Sequence, residues 1–397
     1  MTPRDRETGF TLVEVLLSSL VTLIVVGAAF GLMSPAQRAF QAQPEASDVQ
    51  QRVRVGVDSL RKDLVMAGAG TYSGPAAGPL NYFVAPLMPY RAFGSSADQA
   101  QGVHFRPDAI SFLYVPSTPK QTRLLAPLAP GALDIQIETL PNCPAPAQQQ
   151  VCGFTVGDRL MLVDDGGNWD VFSVDVVVNG AAYLQHRGQP VIARYAAGSQ
   201  VSEVRLGTYY LKTDVAAGTS QLMRYDGSVT DLPVVDDVVG LEFRYFGDAE
   251  PPRLTGVPLD ASPGPWTTYG PAPPAIGLSR GAWPAGENCT FMVSNGLQAP
   301  RLATIGAGGL AHTELTAAML TDGPWCPDAL SPGRFDADLL RIRRVHVTLR
   351  VQSALASLRG PAGTLFTRGG TARDGDRFVP DLAVQFDVTP RNMNLGR

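Results

Sequence analysis

One carboxylate, Glu14, stands inside an otherwise uncharged run of 24 residues from Phe10 to Met33. As a helix, that run is roughly 36 Å long, enough to cross a hydrocarbon core of about 30 Å. An acid within such a span is costly unless it finds a partner, so it is read first as a functional group. The segment before it, Met1–Gly9, is short and polar and carries Arg4, Asp5, Arg6 and Glu7. An ordinary secretory signal has a shorter apolar stretch followed by its cleavage site. Here the stretch is too long, and the processing site falls before it, between Gly9 and Phe10. Cleavage there creates one new cation, the α-amino group of Phe10. Helical geometry makes its pairing with Glu14 awkward within one chain and natural between neighbouring chains offset along a filament. The pattern therefore points to lateral assembly of apolar helices.

Other reactive side chains form weaker patterns. Cys143, Cys152, Cys289 and Cys326 fall into two local groups without the CxxC spacing of a zinc or redox motif. In an oxidising compartment the natural pairs are Cys143–Cys152 and Cys289–Cys326, although four cysteines allow three connectivities. His104, His186, His312 and His346 are each alone in sequence. A G-x-S-x-G string centred on Ser279 lacks the strand before it and the helix after it that a nucleophile elbow needs. Asp164, Asp165, Asn168 and Asp170 gather oxygen ligands around a Gly-Gly turn, but not in an EF-hand register. A solvated hairpin tip accounts for them equally well. No catalytic residue, metal or cofactor is assigned. A formal net charge of -4 and a pI near 5.6 give no global basic signal for nucleic acid.

The elements that must position Glu14 come next. Beyond Met33, Pro35 and Pro44 mark kinks or breaks. From Glu45 to Ala67, Val49, Val53, Val57, Leu60, Leu64 and Ala67 recur at spacings of three and four, one apolar stripe of a helix. Gly68 and Gly70 supply the stop. Thereafter β patterns dominate, with strands expected over Ala109–Val115, Leu133–Leu140, Arg159–Asp164, Trp169–Val178, Val201–Thr213, Gln221–Tyr225 and Gly240–Phe246. Residues 248–335 are rich in Pro, Gly and Trp without clear periodicity, and read as a long surface excursion. Order returns with strands over Leu339–Ser353 and Leu382–Val388.

Gly9-Phe10-Thr11-Leu12-Val13-Glu14 resembles the processing and methylation site of type IV pilins and type II secretion pseudopilins. Leu60-Arg61-Lys62-Asp63-Leu64, Gly240 to Tyr245, Arg344–Val351 and Val388-Thr389-Pro390-Arg391-Asn392 resemble landmarks of PilW-type minor pilins. The resemblance implies cleavage after Gly9 by a prepilin peptidase, N-methylation of Phe10, and use of Glu14 in filament docking. It implies an α+β, pilin-like fold, a long N-terminal helix packed on a β-rich head; the inserted β subdomain and the loop-rich excursion are read from the residue patterns, and the excursion has no counterpart in the family. The corresponding division is a leader over 1–9, a transmembrane and filament-core helix over 10–33 and its amphipathic continuation over 34–70. A head follows over 71–247 with the insertion at about 131–200, then the excursion over 248–335 and closing strands over 336–397.

The function implied is that of a minor pilin that primes assembly or sits at the filament tip, and not an enzyme. A type II secretion pseudopilin or a filament-displayed adhesin are the alternatives. The implied partners are the peptidase, other pilins and the inner membrane, with the head first periplasmic and later at the cell surface.

Overall fold

A computed structural model of the chain describes residues 10–71, 84–92, 104–139, 150–164, 169–178, 182–186, 194–227, 230–250, 312–326, 335–360 and 376–391, with shorter pieces between them. It divides into two compact units. One holds the chain up to Val53 together with residues 351–382; the other holds residues 54–350 and 383–397.

Helix α1 runs without interruption over Leu12–Met66, 55 residues. Of the kinks or breaks expected at Pro35 and Pro44, neither proline makes a break, and the single long helix expected across them forms. Each proline removes one backbone hydrogen bond and the ladder on either side carries the helix on. In the first unit, the Glu45 carboxylate, nearly buried, accepts a hydrogen bond from the Ala354 backbone N–H. The Ala356–Leu358 turn is held by Arg359, which donates to the Ser353 carbonyl at 2.6 Å, and by Val379 N–H to Leu358 O at 2.9 Å.

In the second unit the chain forms β1 (Leu87–Met88) and β2 (Ala109–Tyr114). A set of short strands follows: β3 (Gln121–Arg123), β4 (Asp134–Gln136), β5 (Gln150–Val151), β6 (Phe154–Thr155), β7 (Arg159–Val163), β8 (Trp169–Ser173), β9 (Val176–Val178), β10 (Tyr183–Gln185) and β11 (Gln200–Glu203). Then come β12 (Arg205–Asp214), β13 (Thr219–Tyr225), β14 (Asp231–Asp236) and β15 (Val238–Gly247). Two strands, β16 (Phe291–Ser294) and β17 (Leu297–Pro300), make a hairpin. The remainder are β18 (Thr313–Leu315), β19 (Trp325–Cys326), β20 (Phe335–Asp336), β21 (Ile342–Val351), the hairpin β22 (Ala372–Arg373) and β23 (Asp376–Arg377), and β24 (Leu382–Val388).

Strands β1-β2-β12-β13-β14 form one sheet and β18-β15-β21-β24 another. Because β2 pairs directly with β12, with Tyr114 opposite Arg205, everything from β3 to β11 is inserted between two neighbouring strands. The inserted strands build sheets β3-β11-β7-β8 and β4-β10-β9 around their own core, which includes Leu124, Ile135, Phe154, Leu162, Leu184 and Val201. Alternation explains that core, since Ile135 and Ile137 are fully buried on either side of exposed Gln136. Leu133, expected on the same side, is instead 54% exposed because it precedes the strand.

Two expected strands each break at a corner. Trp169–Val178 divides into β8 and β9, which belong to different sheets, where Val174 N–H turns to Asp158 O at 2.9 Å. Val201–Thr213 divides at Val204, whose N–H goes to Arg159 O at 2.8 Å while β11 and β12 join separate sheets. Continuous apolar character hides such corners, because a buried residue satisfies the pattern on either side of a bend.

The last turns of α1 lie against the second unit's sheets. Leu60, Leu64 and Ala67 are fully buried. Gly56, not the expected Val57, occupies the tightest approach: a Cβ there would stand 2.7 Å from Leu349 Cδ2 and 3.4 Å from Val235 Cγ2. The helix stops at Gly68, which adopts φ 77° and donates its N–H to Leu113 O at 2.8 Å. Val115 N–H returns the connection to Ala69 O at 2.8 Å. The stop is thus fastened to β2, the strand that flanks the insertion.

Candidate functional site: the start of helix α1

Glu14 sits in the first turn of α1, immediately after Thr11. The Thr11 backbone N–H donates to Glu14 Oε2 at 2.9 Å, and the Thr11 hydroxyl donates to the same oxygen at 2.8 Å. In return the Glu14 N–H points to Thr11 Oγ1 at 3.3 Å. This reciprocal arrangement is a capping box, with Thr11 at the N-cap and Glu14 at the third helical position. It satisfies two of the backbone donors that every helix start leaves unpaired. Glu14 therefore has a local partner before any neighbouring chain arrives, which qualifies the expectation that its partner is the α-amino group of a neighbouring chain. Among the described residues, Oε1 of Glu14 accepts no hydrogen bond. The Thr-x-x-Glu spacing before an apolar run was the sequence signal for the cap.

Past this cap, Leu12–Gly31 is a stretch of 20 residues long and apolar enough to cross a membrane, with no part of it buried. Phe10 is 88% exposed, and Leu12 and Leu23 are 77% and 70% exposed. Ser18, Ser19 and Thr22 donate their hydroxyls to the carbonyls of Val15, Val15 and Ser18 at 2.7–3.0 Å. Their polar groups are thereby absorbed by the helix itself, which suits an apolar surrounding.

Comparison with known families decides what this start is. Residues 4–30 match the Prokaryotic N-terminal methylation motif. This chain carries a prepilin-type N-terminus. The motif indicates the type IV pilin and type II pseudopilin family at that level, and implies processing by a prepilin peptidase and assembly with other pilin-like subunits. Such proteins are typically structural and not enzymes. No curated protein matches the chain.

The prepilin-type helix is fixed to the head by a polar cluster that the sequence reading did not single out. Asp63, 7% exposed, faces the sheet from the last turn of α1. Its Oδ2 accepts from the Tyr209 hydroxyl at 2.8 Å and from Arg224 Nε at 2.9 Å, while Oδ1 accepts from the Tyr114 hydroxyl at 3.3 Å. Burial, followed by the Asp63 charge, pushes the Tyr209 phenol well up. For Arg224 burial opposes the charge, but the Asp63 carboxylate outweighs it and the guanidinium is held more firmly protonated. The signal was present, since Asp63 is an acid set between Leu60 and Leu64 on the apolar stripe.

The remaining candidates are dispersed. His186 is buried, with Nε2 2.9 Å from Ala132 O. His346 Nδ1 lies 3.0 Å from Asp387, and His312 Nε2 lies 3.8 Å from Asp248. His104 is exposed, and Ser279 lies outside the described residues. Asp170 is buried and accepts from the Tyr195 hydroxyl at 2.8 Å, while residues 165–168 of the proposed oxygen cluster lie outside the described residues. Among the described residues, Cys152 and Cys326 are disulfide-bonded and neither is free. Cys143 and Cys289 lie outside the described residues, as does Gly9. A cleft of about 540 Å³ beside the end of α1 is lined by Arg61, Lys62, Val65, Met66, Tyr114 and Pro116 among others, and none of the histidines lines it.

Proposed function

We propose that the chain is a low-copy minor pilin of a type IV pilus, of the PilW type. It is cut between Gly9 and Phe10, N-methylated on Phe10, and held in the inner membrane by α1 until it enters a filament. The observation that carries this reading is the methylation motif on a bare apolar helix start whose carboxylate is capped yet keeps one oxygen open. In the filament, that oxygen accepts the α-amino group of a neighbouring subunit, an interaction strengthened by low dielectric. Apolar helices packing side by side supply the rest of the assembly energy.

The large β head, the insertion over 121–203 and the excursion over 248–335 favour a specialised subunit over a repeated one. The head supports a priming or tip position in motility, adhesion or DNA uptake. The test is deletion of the gene followed by counting surface pili and assaying protein secretion. Loss of pili with intact secretion supports the minor pilin; intact pili with lost secretion would identify a type II pseudopilin. Normal pili with lost adhesion would assign the head a binding role. The cysteine pairs Cys143–Cys152 and Cys289–Cys326 belong to the same proposal, as pins for the insertion and the excursion.

A further inference from the structure

The hairpin of β12 and β13 ends in a bare apolar tip. Val215, in the turn between the two strands, is 89% exposed, as open as Phe10 at the start of α1. Ala216 and Ala217 beside it are exposed as well. Asp214 closes the turn by accepting the Ala217 N–H on Oδ1 at 3.0 Å, and among the described residues its Oδ2 accepts no hydrogen bond. A lone valine on a surface is ordinary. What singles this one out is the cleft at the other end of the same strand.

That cleft, at the end of α1, has the complementary character. Val65, Met66, Tyr114 and Pro116 give it an apolar lining, and Arg61 and Lys62 border it. Both bases are exposed, and among the described residues neither makes an ion pair or a hydrogen bond. Asp58 is the one acid among the described residues of the lining, so positive charge prevails there. A volume of about 540 Å³ suits a turn of a few residues better than a whole strand.

Tip and cleft are held apart by the fold. Tyr114, in the lining, pairs with Arg205 at the start of β12, and Asp214 ends that strand. The ten residues of β12 therefore separate the two features by about 30 Å. The last turns of α1 follow the same line. Gly56 stands beside Leu222, the partner of Leu211, while Gly68 binds Leu113, the partner of Leu206. One molecule cannot fill its own cleft with its own tip.

We propose that the β12–β13 tip of one copy seats in the cleft of a second copy, Val215 against Val65 and Met66, and the Asp214 carboxylate against Arg61 and Lys62. Lys212, two residues back on the same face of β12, stays outside the seated turn. An apolar knob and a pocket at different places on one surface make a head-to-tail contact, which repeats along a line and does not close on itself. Successive copies are displaced along the last turns of α1. A turn in a cleft buries far less than the roughly 1,000 Å² of a stable interface, so the contact sets the register of copies already held close. It goes beyond the minor pilin reading and does not depend on it.

A photo-crosslinking residue at the tip, Val215→p-benzoylphenylalanine, tests the contact in a concentrated solution of the full oxidised chain in detergent micelles. The position is an exposed turn, so the probe leaves the packing alone. Mixing isotope-labelled with unlabelled copies separates links between copies from links within one. Mass spectrometry should place the tip of one copy on residues 61–66 or 114–117 of another. With Arg61→Glu and Lys62→Glu added, the yield should fall about threefold or more, the scale of two exposed charge pairs lost. Asp214→Lys in the same chain should restore it. Links that map to the apolar start of α1 or from tip to tip, or no links between copies, would overturn the proposal. So would a yield that ignores the charge reversal, or one that Asp214→Lys fails to restore. Gene deletion reads the pilus assignment separately, so the two ideas fail by different results.

Discussion

Asp63 and Tyr209 lie 146 residues apart in the chain and meet at 2.8 Å, where the last turns of α1 rest on β12. Arg224 from β13 completes the contact at 2.9 Å. The pairing gives the helix one fixed rotational setting on the sheet. Hydrophobic burial of Leu60 and Leu64 would tolerate small rotations, whereas a buried carboxylate with three donors does not.

Removing the carboxylate leaves Arg224 and the Tyr114 phenol without that acceptor, while the Tyr209 hydroxyl keeps the Ser59 carbonyl at 3.2 Å. Asp63→Ala should cost about 2–4 kcal/mol, since breaking a buried pair from one side strands the other charge. Tyr209→Phe should cost only about 1 kcal/mol, the net worth of one hydrogen bond. Thermal unfolding of the detergent-solubilised chain measures both. Equal losses in the two variants would show that the charge is not the organising group.

Two glycines should respond differently to the same small change. At Gly56 the obstructing atom is the tip of the Leu349 side chain, which can move. At Gly247 an added Cβ would stand 2.1 Å from the Arg341 carbonyl oxygen, which is backbone. Gly56→Ala should therefore stay within about 1 kcal/mol of wild type, helped by helix propensity. Gly247→Ala should lose about 2 kcal/mol or more by overpacking. Unfolding midpoints in the reverse order would contradict this packing.

The capping box separates two roles at the N-terminus. Thr11→Val removes the hydroxyl but keeps the volume, and should weaken the helix start by about 1 kcal/mol. Incorporation into filaments should drop modestly, because Glu14 still offers its carboxylate to a neighbour. Glu14→Ala should be cleaved normally yet largely fail to enter filaments. The fraction of each variant in sheared pili, against the fraction left in membranes, checks the ordering. Full incorporation of Glu14→Ala would rule out the charge pairing.

Processing has its own requirement. Replacing Gly9 by Leu should leave a precursor in the membrane, visible as a larger band by immunoblot. A mature-sized band from that variant would place the cut elsewhere.

Much of this architecture could be read from residue order. The apolar run, Glu14 and the stripe through Leu60 and Leu64 follow from helical periodicity, and β24 was bounded correctly by alternation between Leu382 and Val388. The failures share a physical cause. Pro35 and Pro44 read as kinks or breaks because a local rule cannot weigh one lost hydrogen bond against the rest of a 55-residue helix. The corners at Val174 and Val204 were invisible because both residues are buried on either side of the bend. Asp63 was missed because its partners come from distant strands, and no spacing rule reports such meetings. The cap at Thr11 was missed too, although its signal stands three residues from Glu14 in the sequence.

The most direct test of the central claim is intact-mass and N-terminal analysis of the mature protein purified from cells. A chain beginning at Phe10 and carrying one added methyl group is the predicted result. A chain that retains residues 1–9, or one cut beyond the apolar run, would contradict the assignment.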